Sequence, residues 1–129
     1  MLFRSGTNLT TIKLTGATSP TFRMGFLQRA NIVSSNLTSY AYLFANCYQL
    51  KSVSFNSNST ITNTSYMFYN CLALEDVPLF NTASVTSMLG MFNGCLSIES
   101  VPFFNTASVT SMSNMFEDCN NLKIGRAHV

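Results

Sequence analysis

Four cysteines are the residues whose type and spacing best suit chemistry in this sequence, because they recur with a constant 24-residue period. They are Cys47, Cys71, Cys95 and Cys119. Metal binding is not expected, since no C-x-x-C pair exists and equivalent positions of a ladder point the same way instead of converging. Disulfides are an open alternative, because stacked positions lie about 5 Å apart. Parallel side chains rarely reach the disulfide torsion, so we favour a buried ladder of free thiols that act as small apolar residues.

The sequence offers few candidate residues for acid–base or nucleophilic catalysis. The single histidine, His128, belongs to a segment that we interpret below as non-native, and without it no Ser-His or Cys-His arrangement is available. Glu75 and Glu99 occupy equivalent positions one period apart, which is typical of a solvated face and not of a catalytic carboxylate pair. No Gly-rich phosphate loop is found. We therefore predict a protein that is not an enzyme and that has no metal and no cofactor.

The cysteines belong to a longer repeated pattern. Each is preceded by a phenylalanine at the third position before it and followed by leucine or isoleucine at the third position after it. The phenylalanines are Phe44, Phe68, Phe92 and Phe116, and the aliphatic residues are Leu50, Leu74, Ile98 and Leu122. A period held without insertion indicates a stack of equivalent structural units, because a slip in one unit would misalign its neighbours. We expect the phenylalanines and cysteines to form structural ladders inside that stack.

Each unit has two halves with different hydrophobic periods. Residues 50–55, 74–79 and 98–103 share the form LxxLxL, whose last three positions alternate in, out and in as a short strand does. This alternation turns Leu79 and Phe103 inward. The other half repeats apolar residues at intervals of three, four and three, on one face of a helix, as in Val109, Met112, Phe116 and Cys119. The pattern predicts an α/β solenoid of 24-residue strand-turn-helix units.

Two prolines limit the predicted sheet. Pro78 and Pro102 each lack the N–H donor that a parallel ladder would use. We therefore expect strands of only two or three paired residues at these positions.

Four segments follow from the register of the repeat. Residues 1–14 resemble a degenerate first repeat with Gly6 at the cysteine position, and residues 15–36 form an irregular insertion or atypical unit that the pattern assigns to neither helix nor strand. Residues 37–123 are the regular repeats. We interpret residues 124–129 as a non-native tail, because Ile-Gly-Arg-Ala-His-Val is what one reading frame of a common sequencing adapter encodes. The natural chain is then expected to continue with more repeats.

The composition excludes several classes of protein. Apolar residues make up 47% of the chain, which excludes a disordered protein, and no apolar run approaches the length of about 18 residues that a membrane-spanning helix needs. Charged residues are only 9% and the net charge is +2, so we expect no nucleic-acid partner and no membrane insertion. The beginning of the sequence, MLFRSG, shows no features of a signal peptide.

The repeats resemble the BspA-like leucine-rich repeat family of surface proteins, including the related repeat of mycoplasma lipoproteins. The resemblance rests on MFNGC, MFEDC, the LxxVPxF strand and NTASVTSM, and it covers residues 37–123 well and residues 3–14 weakly. The repeats, NTASVT included, also resemble those in fibre or other surface proteins of tailed phages. The resemblance implies a right-handed leucine-rich-repeat-like α/β solenoid on a cell or virion surface, used for adhesion or recognition.

Candidate ligand-binding residues lie at the outward strand positions, where successive units form a continuous surface. They are Ser52, Ser54, Asp76, Pro78, Phe80, Ser100, Pro102 and Phe104. Phe80 and Phe104 are the most informative pair, because two exposed aromatic side chains would suit a protein or sugar ligand. In the alternative, both pack over the turn that leads out of the strand.

We therefore expect a non-enzymatic module for surface recognition or adhesion, located outside a cell, whose partner is a protein or glycan on a cell surface. The alternative is a rigid structural segment of a phage tail fibre. Binding by the isolated repeats favours the first, and neighbouring tail genes favour the second. We also expect self-association through repeat ends that lack a cap.

Overall fold

The structure of the protein is a computed structural model that describes residues 2–4, 9–15, 25–57 and 60–123. Its strands form one sheet in which each strand neighbours the next in chain order. They are β1 (Leu2–Arg4), β2 (Leu9–Thr15), β3 (Arg29–Ser35) and β4 (Ser52–Ser57). The strands β1 and β2 are antiparallel, whereas β2 with β3 and β3 with β4 are parallel. Residues 124–129 and Gly6 lie outside the described residues.

The strand β3 settles the conformation of part of the segment that the sequence pattern left open. Ala30 and Ile32 on this strand are buried, and their neighbours along the strand are more exposed, as expected of a strand with one inner face. Ile12, Ile32 and Phe55 share one column of the sheet. Placing Gly6 at the cysteine position would instead put Ile12 level with Val53, so the register of the first repeat differs from that alignment.

A second face of short parallel pairings follows the chain beyond residue 37. Single bridges connect Ser39 with Asn63, Asn63 with Ser87, and Ser87 with Ser111. The amide N–H groups of Thr62, Thr86 and Thr110 each donate to the carbonyl of the threonine one period earlier, at 2.8 Å. Residues one period apart therefore lie beside one another, and each 24-residue unit forms one coil of a stack.

Strand pairing on the face that continues the β1–β4 sheet becomes sparse near Pro78 and Pro102. Beyond β4, this face has a single described bridge, between Ser52 and Asp76. Pro78 and Pro102 follow at positions where the ladder would need an N–H donor. On this face, side-chain packing therefore contributes more to the contact between these two coils than backbone pairing does.

The half of each unit that was predicted to be helical takes another form. Across the described ranges, the structure contains no α-helix, and residues 113–118 are a run of turns. In residues 41–47, the equivalent segment of the first regular unit, alternate N–H groups donate to carbonyls of the next coil. They belong to Tyr42, Phe44 and Asn46, at 3.0, 2.9 and 2.7 Å. Those of Leu43 and Ala45 donate to carbonyls at the third position before them at 3.1 Å. We call residues 41–47, 65–71, 89–95 and 113–119 the turn segments.

Backbone conformation explains why no helix forms. Each turn segment has two residues with φ between +54° and +81°, one at the fifth position before the cysteine and one immediately before it. They are Tyr42 and Asn46, Tyr66 and Asn70, Gly90 and Gly94, and Asn114 and Asp118. A left-handed residue interrupts a right-handed helix, because its N–H and C=O no longer follow the helix axis. Alternate N–H groups then point out of the segment and donate to carbonyls of the neighbouring coil.

The core lies between the strand face and the turn segments. The phenylalanines form a continuous stack, with ring centroids 5.8 Å apart for Phe44 and Phe68, 5.5 Å for Phe68 and Phe92, and 5.8 Å for Phe92 and Phe116. The first three rings are fully buried. Assignment of this stack to the right-handed leucine-rich-repeat-like α/β solenoid class stays a prediction.

Candidate functional site

The thiol ladder lies beside the phenylalanine stack. All four cysteines are free, and Cys47, Cys71 and Cys95 are buried while Cys119 is half-buried. Each of the last three thiols donates a hydrogen bond to a phenylalanine carbonyl of the preceding coil. The acceptors are Phe44 for Cys71, Phe68 for Cys95 and Phe92 for Cys119. The Sγ–O distances are 3.1 Å for Cys71, 3.1 Å for Cys95 and 3.0 Å for Cys119. The ladder thus adds one connection between each pair of neighbouring coils.

The electrostatics of the ladder oppose ionisation. Burial, reinforced by the neighbouring thiols Cys95 and Cys47, raises the pKa of Cys71 well above its ordinary value. Burial also raises the pKa of Cys95, with a smaller contribution from Cys119. The pKa of Cys119 is raised by its partial burial and by the carboxylate of Asp118. A thiol with a raised pKa is a poor nucleophile at neutral pH, because the thiolate is the reactive form.

No group of three or more His, Cys, Asp or Glu side chains is placed to hold a metal ion within the described ranges. In the same part of the chain, no helix is long and apolar enough to cross a membrane.

The polar members of the predicted ligand-binding set lie on the outside of the strand face. Ser54, Asp76 and Ser100 are exposed, and Ser52 is half-buried. The Ser54 hydroxyl donates to Oδ1 of Asn31 at 2.9 Å, which ties β4 to β3. Pro78 and Pro102 are half-buried.

The apolar pair on this face differs from the predicted one. Leu79 and Phe103 are 66% and 67% exposed, so their predicted inward orientation is wrong. Phe80 and Phe104 turn inward instead and pack against the buried core. The pair predicted to be exposed, Phe80 and Phe104, is therefore turned away from the surface, and the exposed apolar stripe is made by the residue before each of them.

Aromatic packing explains this exchange. The Phe80 ring lies 5.0 Å from that of Phe55, 6.1 Å from Tyr40 and 5.7 Å from Phe104. Phe80 thus takes the inner position that Phe55 has in the preceding coil, although it stands one place later in the repeat than Phe55 does. The extra residue, Leu79, follows Pro78 and is displaced to the surface.

We define the outer strand face by the residues that this arrangement brings together. It comprises Ser52, Ser54, Asp76, Pro78, Leu79, Ser100, Pro102 and Phe103. An ion pair flanks it, in which Nζ of Lys123 contacts Oε1 of Glu99 at 3.2 Å. Both side chains are exposed, so this ion pair adds little stability and leaves the charges open to a partner.

A second exposed apolar row was missed in the sequence. Tyr48, Leu72 and Leu96 each come directly after a cysteine, and all three are exposed. Their shared place in the 24-residue period is the signal that could have identified them.

The stacked coils and their 24-residue register define a repeat protein. Comparison with protein families identifies the family to which it belongs. Residues 34–126 match the model of the family described as Mycoplasma protein of unknown function, DUF285. Because this match covers more than half of the chain, the protein belongs to that family. The matched segment includes the four cysteines and the whole outer strand face. Comparisons with curated proteins and with solved structures found no match.

Proposed function

We propose that this protein is a non-enzymatic repeat module, located outside a cell, that recognises a protein or glycan on a cell surface through its outer strand face. The observation that carries the proposal is the exposure of Leu79 and Phe103 at equivalent positions of adjacent coils. Exposed apolar side chains in register, bordered by polar residues, are typical of interaction surfaces.

The chemistry of the neighbouring residues supports this proposal. Coils in a parallel stack lie about 4.8 Å apart, so the two apolar side chains form one stripe instead of isolated contacts. Pro78 and Pro102 directly precede these two residues and restrict the backbone there. This restriction reduces the conformational entropy that would be lost on binding. The hydroxyl of Ser100 and the carboxylate of Asp76 lie exposed beside the stripe and can form hydrogen bonds.

Family membership also supports the proposed recognition function. The DUF285 match and the MFNGC and LxxVPxF motifs are consistent with a relationship to the BspA-like repeats, which implies adhesion or recognition. Within the chain, the coil interior consists of buried phenylalanine, cysteine and aliphatic side chains. A ligand would therefore meet the outside of the coils, where side chains vary from unit to unit.

The test compares two pairs of surface substitutions. The double variant Leu79→Ser, Phe103→Ser removes the stripe, and the control Leu72→Ser, Leu96→Ser removes an equally spaced exposed pair elsewhere. Labelled protein is applied to a glycan array and to immobilised extracellular-matrix glycoproteins. We expect binding by the parent and by the control, and a loss of about tenfold or more in affinity for the stripe variant.

Urea unfolding of the stripe variant should stay close to that of the parent, because Leu79 and Phe103 are mostly exposed. Circular dichroism checks that the control, whose leucines are 38% exposed, is folded. Equal binding by the stripe variant and the parent, or the absence of binding to either set of probes, would contradict the proposed function.

A further inference from the structure

The exposed apolar stripe of the outer strand face has different polar groups on its two sides. Asp76 and Ser100 lie on the side before the stripe, and Asn81 and Asn105 lie on the side after it, and all four are exposed. Residues 76–81 and 100–105 share one order, which is polar, inner, proline, exposed apolar, inner and polar. The stripe therefore lies midway between its two polar sides.

The two sides also differ in the hydrogen bonds that they can form. Oδ1 of Asn81 accepts from the N–H of Ala83 at 3.0 Å, and Oδ1 of Asn105 accepts from the N–H of Ala107 at 3.0 Å. Each Nδ2 group remains as a donor, and no acceptor for it is found among the described residues. The carboxylate of Asp76, which only accepts, likewise has no donor within the described ranges. One side of the stripe thus offers donors and the other offers an acceptor.

From this complementarity, we infer that the outer strand face binds a second copy of the same chain, in a dimer whose two-fold axis runs along the stripe. Such an axis places Leu79 against Leu79 and Phe103 against Phe103, because each lies on the axis. It also exchanges the two polar sides. Nδ2 of Asn81 in one copy then meets the carboxylate of Asp76 in the other, and this pair forms twice.

Charge decides between this arrangement and the other face-to-face arrangement that would pair the stripe with itself. An axis along the strands would reverse the order of the coils. It would place Glu75 opposite Glu99 and Lys51 opposite Lys123, because these residues occupy one position of four successive units. Like charges in direct opposition weaken an interface. With the axis along the stripe, the same residues face neutral residues on the far side of the stripe.

The area of the face sets the strength of the pairing. Five coil levels, from β2 to the two coils beyond β4, at about 4.8 Å each and about 20 Å in length, give about 500 Å² on each copy. A total of about 1,000 Å² is near the lower limit for a specific interface, so we expect a reversible dimer. Neither end of the stack takes part in it. The pairing rests on the proposed function in one respect, namely that the stripe is an interaction surface.

Analytical ultracentrifugation of the full chain between about 1 and 500 µM tests the pairing. We expect a monomer–dimer equilibrium. Asn81→Asp keeps the acceptor for the N–H of Ala83 but places a carboxylate against that of Asp76, so the dimer dissociation constant should rise about tenfold or more. Adding Asp76→Asn exchanges the donor and acceptor sides and should return the constant to within about threefold of the parent.

The matched control is Asn105→Asp, which adds the same charge one coil further along. In the dimer this carboxylate would face the hydroxyl of Ser100, which can donate to it. We expect the dissociation constant to change by about threefold at most. Circular dichroism confirms that each variant folds. The variant Leu79→Ser, Phe103→Ser should be monomeric over the whole range, because it loses the apolar contact.

The results also separate this pairing from the proposed function. Asn81 lies outside the outer strand face as defined above, so Asn81→Asp should keep its binding to the glycan or glycoprotein while its dimer is weakened. A parent that stays monomeric up to the highest concentration would overturn the inferred dimer and leave the proposed function to its own binding test. Self-association of equal strength in the parent, in Asn81→Asp and in the stripe variant would overturn it too, because the contact would then lie elsewhere.

Discussion

The cysteines show how a single residue type can serve both packing and hydrogen bonding in this stack. Their small side chains fill the space beside the phenylalanine rings, and each described thiol from Cys71 onward bonds a carbonyl of the preceding coil. A buried polar group without such a partner would cost stability. The residue that the regular spacing singled out for chemistry therefore acts as a structural element with a raised pKa.

The raised thiol pKa values predict a dependence of stability on pH. In the unfolded chain a thiol ionises at about pH 8.5, whereas burial raises the pKa of Cys71 and Cys95 and keeps both protonated in the fold. Their stabilising contribution is complete below about pH 8.5 and decreases as the pH rises above it, because the unfolded state then binds fewer protons. We expect the free energy of unfolding to fall by about 1.4 kcal/mol per pH unit for each buried thiol.

Urea unfolding between about pH 7 and pH 10 measures this dependence. The variant Cys71→Ala, Cys95→Ala serves as the control, since it differs from the parent only in these two thiols. Its stability should decrease less steeply with pH than that of the parent. Parallel curves for the two proteins would argue against the protonated ladder.

At the scale of the element, the turn segment is defined by its left-handed residues. The position before each cysteine is Asn46, Asn70, Gly94 or Asp118, all of which are residue types that adopt positive φ readily. Two of these side chains also connect coils, since Nδ2 of Asn70 donates to Oδ1 of Asn46 at 3.2 Å. The segment thus depends on these residues both for its backbone shape and for part of its stacking.

Substitution of Gly94 tests this dependence. Gly94 has a φ of +81°, and a Cβ there would meet the side-chain oxygen of Asn70, which can move aside. We expect Gly94→Ala to destabilise the protein by about 1–2 kcal/mol, because an L-residue is strained in this conformation. Gly94→Asn should cost less, since asparagine occupies the same position in two other coils.

Thermal or urea unfolding of the two variants provides the comparison. Both variants add a Cβ in the same place, so their difference reports the backbone preference together with the hydrogen bonding of the added asparagine amide. Equal destabilisation by alanine and asparagine would mean that the contact with Asn70 dominates instead.

At the scale of the whole molecule, stability is built from contacts between neighbouring coils. The hydrogen bonds of the repeat region join residues of adjacent coils as well as residues within one turn. Such a stack behaves as a one-dimensional array, in which each unit depends on the units above and below it. The length of the stack can therefore change without loss of the architecture, provided that the register is kept.

Two deletions test this modularity. Removing residues 85–108 takes out one whole period, so that Ser84 is followed by Val109 and every ladder continues in register. We expect this variant to fold cooperatively with a smaller denaturant m-value, because less surface is buried. Removing residues 85–96 takes out half a period and should prevent cooperative folding of the repeats.

Circular dichroism and urea titration distinguish the two deletions. Similar unfolding curves for both variants would be evidence against coil-by-coil stacking in register.

The sequence by itself determined the period, the stacking of equivalent units and the inward columns of phenylalanine and cysteine. These features follow from burial alone, since apolar side chains that recur at one spacing can leave water only if equivalent coils pack on one another. The weak strand pairing near Pro78 and Pro102 was also predictable, because a missing N–H donor is a local property. The described residues pair even less than the predicted two or three residues per strand, with a single bridge beyond β4 on this face.

Tertiary structure alone decided the form of the turn segments and the choice of exposed side chains. Apolar spacing at every third or fourth position predicted a helix, but carbonyls of the neighbouring coil compete for the same N–H groups, and these carbonyls are present only once the coils stack. In the same way, Leu79 and Phe80 are adjacent apolar residues, and the local sequence does not show which of them is buried in the core. Contact with Phe55 and Tyr40, which lie far away in the sequence, brings Phe80 inside and leaves Leu79 on the surface.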